Sequence, residues 1–329
     1  MLDNNLKIAV IGAGRWGVNH VKTATLLVPK SHIWVCDKSK ETEKRIKEIS
    51  EEINFTNRLS DILNNLEINC IIVATPAETH YKIAKECILQ NKNVLVEKPI
   101  TLFLDEAEEL EKLASKKNVK LMVGHVLLYH PAILAIKKGL NEGILGKLQY
   151  IYSNRLNLGA IRKEENILWS FAPHDISIIQ FLIEDYPLSI FAKGDTFLQK
   201  NIEDTTLTYL QYPKNISAHV FVSWLHPFKE QRLVVIGEKG MFVFEDTVKD
   251  EKLRFYKKGF KKTDLGIEKF DQNYDVVSLE SVMPLEEEQK HFYNSVINDT
   301  EPRTNGKHAV DVLKILVKAT ESLKANKIV

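Results

Sequence analysis

Over the first 125 residues, short β-rich apolar runs alternate with longer segments of mixed polarity. The runs fall at 7–11, 32–36, 69–74, 93–96 and 119–123. Between them, residues 77–90 carry Ile83, Ala84, Cys87 and Ile88 at helical spacing, and residues 104–117 carry Ala107, Leu110, Leu113 and Ala114 in the same way. Runs that are apolar throughout fit strands buried on both faces, and strands separated by helices are parallel. The pattern predicts an α/β domain over residues 1–125, with a doubly wound parallel sheet.

After His125 the grammar changes. A helix is predicted over 131–141, an alternating strand over 147–153 and a helix over 173–184 with Pro173 in its first turn. Strands then follow one another at 188–192, 205–212, 216–224, 233–236 and 241–245. Ile216, Ala218, Val220, Val222 and Trp224 share one face of the third of these, the period of a half-buried strand. Successive strands without crossover helices predict an antiparallel sheet and a second, α+β domain over 126–329. The lysine-rich stretch 249–262 reads as a solvated hairpin or loop, and 285–298 and 307–324 as closing helices.

Composition narrows the class. A chain of 329 residues accommodates about two domains. Its 45 basic and 44 acidic side chains leave a formal charge of +1, which argues against a nucleic-acid partner. No apolar run is long enough to span a membrane and no signal-peptide pattern opens the chain, so a cytoplasmic protein is expected. Cys36, Cys70 and Cys87 are widely spaced without a C-x-x-C pair, so packing is expected of them, with no disulfide and no metal site.

Gly12-Ala13-Gly14-Arg15-Trp16-Gly17 follows the first strand and opens a helix. In that context Gly12 serves a tight turn, Gly14 lets backbone approach a pyrophosphate, and Gly17 lets helix and strand pack closely. The helix N-terminus then faces the phosphates. Asp37, 20 residues beyond Gly17, ends the second strand where an acid would bind a ribose hydroxyl. That acid favours NAD over NADP, although Arg15, Lys38 and Lys40 lie near in sequence. A structural turn followed by a surface aspartate is the alternative.

Glu97-Lys98-Pro99 ends the fifth strand, at the edge where ligands bind in open α/β sheets. A cis Lys98–Pro99 bond would aim the preceding side chains into that crevice, while a plain exposed turn also accounts for the tripeptide. Residues 8–12, Val73-Ala74-Thr75-Pro76 with His80, and 94–99 together resemble the glucose–fructose oxidoreductase / inositol dehydrogenase / MocA family. The segment from Trp224 to Glu245 and Pro284, Leu285, Phe292, Pro302 and Gly306 fit it too, so the resemblance runs along nearly the whole chain. It implies a Rossmann domain, a second domain built on an open antiparallel sheet, and NAD(P)-dependent oxidation or reduction of sugars and polyols. It also implies homodimers or homotetramers packed through the outer sheet face. Catalytic duty falls on Lys98, and the strand-end loop under the nicotinamide falls on Thr75 and Pro76; His80 and Glu97 join the cofactor-binding set.

Trp169 to Asp175 leads into a helix of the second domain. A histidine titrating near neutrality suits a general base, and the resemblance gives His174 that role. Many relatives carry an aspartate four residues earlier, where this chain has Ser170. Asp175 is either a substitute for it or a charge in the first helical turn. The Trp169-Ser170 and 173–177 pattern resembles the branch that oxidises UDP-N-acetylglucosamine at C3. A diphosphate there needs cations, and Arg155 and Arg162, with Asn157 and Lys163 beside them, lie just upstream. Ordinary surface charge is the alternative for each. Tyr129 and His130 follow the sixth strand and are either substrate contacts or a helix start with a packing aromatic. The expectation is NAD-dependent oxidation of a ring hydroxyl in a nucleotide-linked N-acetyl sugar. The rivals are a free-polyol dehydrogenase, such as one for inositol, and a non-catalytic NAD-binding regulator.

Overall fold

Two sheets organise the chain, and a computed structural model describes them over residues 6–325 together with Lys327 and Ile328. The molecule divides into two units: Met1–Tyr129 with Val282–Leu313, and His130–Ser281 with Lys314–Val329.

Among the described residues, the first unit is built on six parallel strands: β1 (Lys7–Ile11), β2 (Ile33–Cys36), β3 (Asn54–Thr56), β4 (Ile68–Val73), β5 (Asn93–Glu97) and β6 (Leu121–Gly124). Their order is β3-β2-β1-β4-β5-β6, so the winding reverses between β1 and β4. Helices α1 (Gly17–Leu27), α2 (Lys40–Ile49), α3 (Leu59–Leu63), α4 (His80–Leu89) and α5 (Leu104–Lys117) connect them. Ile8, Ala9 and Val10 of β1 and Ile71, Ile72 and Val73 of β4 are inaccessible to solvent, as the continuous apolar runs predicted. Cys36, Cys70 and Cys87 are free and buried; burial pushes the Cys36 thiol to about 11 and the Cys87 thiol to about 12, so both stay protonated and pack as apolar groups.

The second unit holds α6 (Pro131–Asn141), β7 (Leu148–Leu158), α7 (Ile167–Ile183), β8 (Ser189–Asp195), β9 (Thr205–Tyr212), β10 (Ile216–Ser223), β11 (Leu225–Gly237), β12 (Gly240–Glu245), β13 (Leu253–Thr263) and β14 (Gly266–Val276). Its eight-stranded sheet runs β14-β13-β12-β11-β7-β10-β9-β8. Among the described residues every pairing in it is antiparallel except β7 with β10, which is parallel and makes the sheet mixed. Because β7 lies mid-sheet between β11 and β10, a strand from early in the domain ends up beside two late ones. The lysine-rich stretch is the first arm of a hairpin, β13 on β14, whose register shifts between Tyr256 and Lys258 and whose Lys257–Asp275, Lys258–Asp271 and Lys261–Glu268 pairs match opposite charges across the strands.

Two expectations need correction. Helix α7 starts at Ile167 rather than at Pro173, because Asn166 caps it: its side-chain oxygen accepts from Trp169 N at 3.2 Å, and Pro173 lies inside the helix. The division at 125/126 is also incomplete. The chain returns to the first unit over Val282–Leu313, where α8 (Pro284–Ile297) buries Leu285, Phe292 and Tyr293. Gln289 of α8 donates to His20 of α1 twice, to Nδ1 at 3.0 Å and to the carbonyl at 3.1 Å. The final helix, α9 (Gly306–Ala325), follows. If α8 is part of the first unit's core, Phe292→Ala should cost about 3–5 kcal/mol, the usual loss for a fully buried phenylalanine. Urea unfolding of the variant would show it, and a loss under about 1 kcal/mol would mean that the helix is peripheral.

Candidate active site

The glycine loop joins β1 to α1. Gly12 has φ +84°, and a side chain there would come within 2.7 Å of Thr75 and 2.9 Å of the Ala74 carbonyl. A Cβ on Gly17 would stand 2.0 Å from the Gly12 oxygen, so helix and loop touch backbone to backbone. Gly14 differs: among the described residues nothing lies within 4 Å of the place its Cβ would take, and it is exposed together with Arg15 and Trp16. Two of the glycines therefore shape the loop, and the third leaves space above it. Asp37 fastens the loop from β2, accepting from Ala13 N at 2.8 Å and from Ser39 N at 2.9 Å. Each carboxylate oxygen keeps a lone pair beyond these bonds, so the ribose role expected of Asp37 remains open to it.

Glu97 ends β5, and its carboxylate turns inward. Trp16 Nε1 donates to it at 2.5 Å, His20 Nε2 at 2.7 Å and the Lys98 backbone N–H at 3.2 Å. Because Gln289 donates to His20 Nδ1, the ring's own proton sits on Nε2, pointing at Glu97. Burial works to raise the Glu97 carboxyl, but the His20 and Trp16 bonds outweigh it and hold the group below the usual carboxylate range. Glu97 was expected among the cofactor contacts; within the protein its bonds tie the glycine loop, α1 and the strand end that presents Lys98. His20 and Gln289 escaped the sequence reading, although His20 stands three residues into the helix that the glycine loop opens.

His80 is buried and spans two loops, with Nδ1 2.7 Å from the Pro99 carbonyl and Nε2 2.8 Å from the Thr75 carbonyl. It supports the loops from below, with both ring nitrogens engaged. Thr75 accepts from the Thr79 hydroxyl at 2.7 Å, Pro76 is exposed, and Lys98, half-buried, precedes a cis proline. Tyr129 is 1% exposed, its hydroxyl 3.1 Å from Thr304 Oγ1 and its ring under Arg303, so it is a core residue and not a substrate contact.

In the second unit, His174 lies half-buried on α7 and Asp175 beside it is 2% exposed. Asp175 accepts from Arg155 Nε at 2.7 Å, from Arg155 Nη2 at 3.1 Å and from Ser153 Oγ at 2.5 Å. With its amide oriented to donate to Asp246 at 3.3 Å, Gln231 accepts from Arg155 Nη1 at 3.1 Å. All three nitrogens of the Arg155 guanidinium thus have a partner inside the fold, which leaves two of its five N–H groups for the diphosphate expected there. The helix-start role for Asp175 also fails, because α7 begins eight residues before it. His130 caps α6, its Nδ1 accepting from Ala132 N at 3.1 Å, while its ring packs on Phe244; burial holds its protonated form down against the pull of Asp246. Trp169 Nε1 donates to Thr320 at 2.9 Å and anchors α7. Arg162 is exposed, with Glu165 4.0 Å away, and Asn157 is half-buried on β7.

Comparison with known sequences agrees with this geometry. Residues 6–125 match the pattern described as "Oxidoreductase family, NAD-binding Rossmann fold", and residues 133–243 match the GFO/IDH/MocA C-terminal domain. The chain belongs to the Gfo/Idh/MocA family. Among its Gfo/Idh/MocA relatives, the scyllo-inositol 2-dehydrogenase (NAD(+)) of Bacillus subtilis is 25% identical over 253 residues, covering 73% of each chain. The UDP-N-acetylglucosamine 3-dehydrogenase of Acidithiobacillus ferrooxidans superposes with a TM-score of 0.83 at 20% identity, over 97% of this chain and 98% of the other. A protein from gentamicin A biosynthesis, solved in complex with NAD, superposes at 0.82 with 20% identity, over 100% and 97%. At those identities the two structures establish a shared fold.

The first unit is accordingly an NAD-binding Rossmann domain, and its loop fits the cofactor: Gly14 leaves the space that a pyrophosphate needs. Gly14→Ala should therefore leave stability within about 0.5 kcal/mol of the parent, since the methyl meets nothing. The same variant should weaken NAD binding about tenfold or more, because the methyl enters the space the phosphates use. Urea unfolding and a fluorescence titration with NAD would separate the two effects; unchanged NAD affinity would move the pyrophosphate elsewhere.

Proposed function

We propose that this oxidoreductase is an NAD-dependent dehydrogenase that oxidises a secondary ring hydroxyl of a sugar or cyclitol to a ketone. The observation that carries the reading is Lys98, presented at the carboxyl end of β5 by a strand end that Glu97 fixes through the Lys98 N–H. Bound NAD supplies the hydride acceptor. Lys98 holds the reacting hydroxyl and stabilises the alkoxide charge that develops on it. His174 takes the hydroxyl proton as general base. Gly12, Gly14 and Gly17 shape the loop that receives the dinucleotide, and Asp37 orders it.

For the substrate, the engagement of Arg155 by Asp175 and Gln231 favours an unlinked polyol, and the named inositol dehydrogenase among the relatives supports that choice. A nucleotide-linked N-acetyl sugar oxidised at C3 is the second reading. Exposed Arg162 and the Trp169-Ser170 pattern favour it, and Arg162 rather than Arg155 would meet the diphosphate. Absorbance at 340 nm with NAD and either inositols or UDP-N-acetylglucosamine distinguishes the two. Lys98→Ala should lose turnover several hundredfold, about 2.7–4 kcal/mol of transition-state stabilisation. His174→Ala should flatten the pH–rate profile near neutrality. NAD binding with no reduction by any polyol or nucleotide sugar would replace the dehydrogenase with a binding regulator.

The protein is further proposed to work as a homo-oligomer packed through the open face of the second sheet. Tyr150 and Tyr152 on β7, His219 and Phe221 on β10, and Leu207 and Tyr209 on β9 form a largely aromatic row across three paired strands, opposite the face that carries Ser153 to α7. Leu207 is 45% and Tyr209 39% exposed. Uncovered patches of this kind mark association surfaces. Tyr209→Glu should shift the sedimentation velocity of the protein to that of a single chain; unchanged sedimentation would put the interface elsewhere.

A further inference from the structure

Helix α8 carries a carboxyl that neither the proposed reaction nor the fold's hydrogen bonds use. Glu288 is inaccessible to solvent, and neither of its oxygens has a hydrogen-bond partner among the described residues. It stands on the helix's buried side, three residues after Leu285 and four before Phe292. The charges in its field are Glu97 at the end of β5, which His20 links to the neighbouring Gln289, and Tyr129 after β6, whose ring the Arg303 guanidinium covers at 4.7 Å. His20 of α1 bonds the neighbouring Gln289, and Tyr293 and His291 follow on α8 itself. Lys290 pairs with both Glu286 and Glu287 on the solvent side.

Two carboxyls brought together out of water do not both ionise. Here the choice between them is decided by donors. Glu97 has three N–H groups on its oxygens, and Glu288 has none among the described residues. The negative charge falls on Glu97 and the proton on Glu288. Burial, with Glu97 adding to it, pushes the Glu288 carboxyl well above its ordinary range, while Glu97 is held below.

We propose that Glu288 is a positioning residue for the cofactor site: as a neutral acid it keeps Glu97 the single charge of the pair. Glu97 can then hold Trp16, His20 and the Lys98 strand end in one arrangement. Loss of the Glu288 proton would set a second charge beside Glu97, with no donor to meet it. The sign follows by linkage. An unfolded chain releases this proton near the ordinary glutamate value and the folded chain keeps it, so stability is full below that value and declines as pH rises. The proposal rests on the NAD-binding assignment of the first unit and on the role given to Lys98, but two of its three readouts need neither NAD nor substrate.

The experiment compares the full-length protein with Glu288→Gln, which is neutral at every pH and nearly the same shape. Infrared spectroscopy should show a protonated-carboxyl carbonyl band in the parent at neutral pH that is missing from the variant. Urea unfolding from about pH 5 to about pH 9 should show a decline in the parent that the variant lacks. NAD titrations should agree within about threefold at neutral pH, and at any alkaline pH where the parent's carboxyl band has faded the variant should bind about tenfold or more tightly than the parent. An unchanged infrared spectrum, parallel stability curves, or a folded variant that loses NAD at neutral pH would each overturn the proposal. Should Glu288→Gln fail to fold, Glu97→Gln serves instead: with the neighbouring charge removed, the Glu288 band should titrate at lower pH, and a band that does not move overturns the idea. Absence of turnover with every polyol would instead count against the dehydrogenase reading and leave these results standing.

Discussion

A charge buried at the end of a strand constrains the first unit more than any other single group. A carboxylate taken out of water costs several kcal/mol unless donors replace the water it loses. Glu97 meets that demand with the indole N–H of Trp16, the imidazole of His20 and the backbone N–H of Lys98. Each donor comes from a segment that has to be placed for a dinucleotide: the glycine loop, the helix it opens, and the strand end with the lysine. Room for the carboxylate comes from β6, where a Cβ on Gly124, the register partner of Glu97, would stand 3.0 Å from it. One acid thus converts three independent loop conformations into a single coupled one, which is the preorganisation that a site holding a cofactor by backbone contacts requires.

The second unit uses a buried charge differently. Asp175 and Arg155 form a two-bond pair on an aspartate that is 2% exposed, with Ser153 adding a bond to the acid and Gln231 one to the base. Such a pair, once fully bonded, fixes the direction of its helix against its strand, and breaking it leaves a charge stranded. It sits one residue from His174, so the rigidity it gives α7 is delivered at the residue assigned to proton transfer. A guanidinium committed in this way has two of its five N–H groups left for a phosphate. The same sequence feature that suggested a nucleotide sugar therefore argues, in the folded protein, for positioning.

The fold was legible in the sequence wherever burial was continuous. Strands β1, β4 and β5 are apolar runs because both of their faces are covered, and α5 and α6 carry clear periodicity and fall where the pattern puts them. Strand β3 has three residues, none fully buried, and α2 buries only Thr42 and Ile46, so neither leaves an apolar signature. Helix α7 is buried nearly all round and gives no stripe to time its start; the cap at Asn166 decides it, and the proline invited a start that was too late. The parallel pairing of β7 with β10 could not be read locally, because it depends on which strand inserts beside which.

The candidate site divides along similar lines. Glycine spacing is legible because each position answers a steric demand of the backbone, and the structure meets it at Gly12 and Gly17. What a polar side chain does is less legible, since Glu97, His80, Tyr129 and Arg155 all carry groups that bind ligands and groups that hold a fold together. Their partners decide, and those partners lie far off: Gln289 is 269 residues from His20, and Thr304 is 175 from Tyr129. One signal was nonetheless in the chain. In the run Glu286-Glu287-Glu288-Gln289, only the last two share the helix face of Leu285 and Phe292, so an acid and an amide had to enter the core together. An acid that must be buried there has either to find donors or to keep its proton, and the donors on Trp16, His20 and Lys98 go to Glu97.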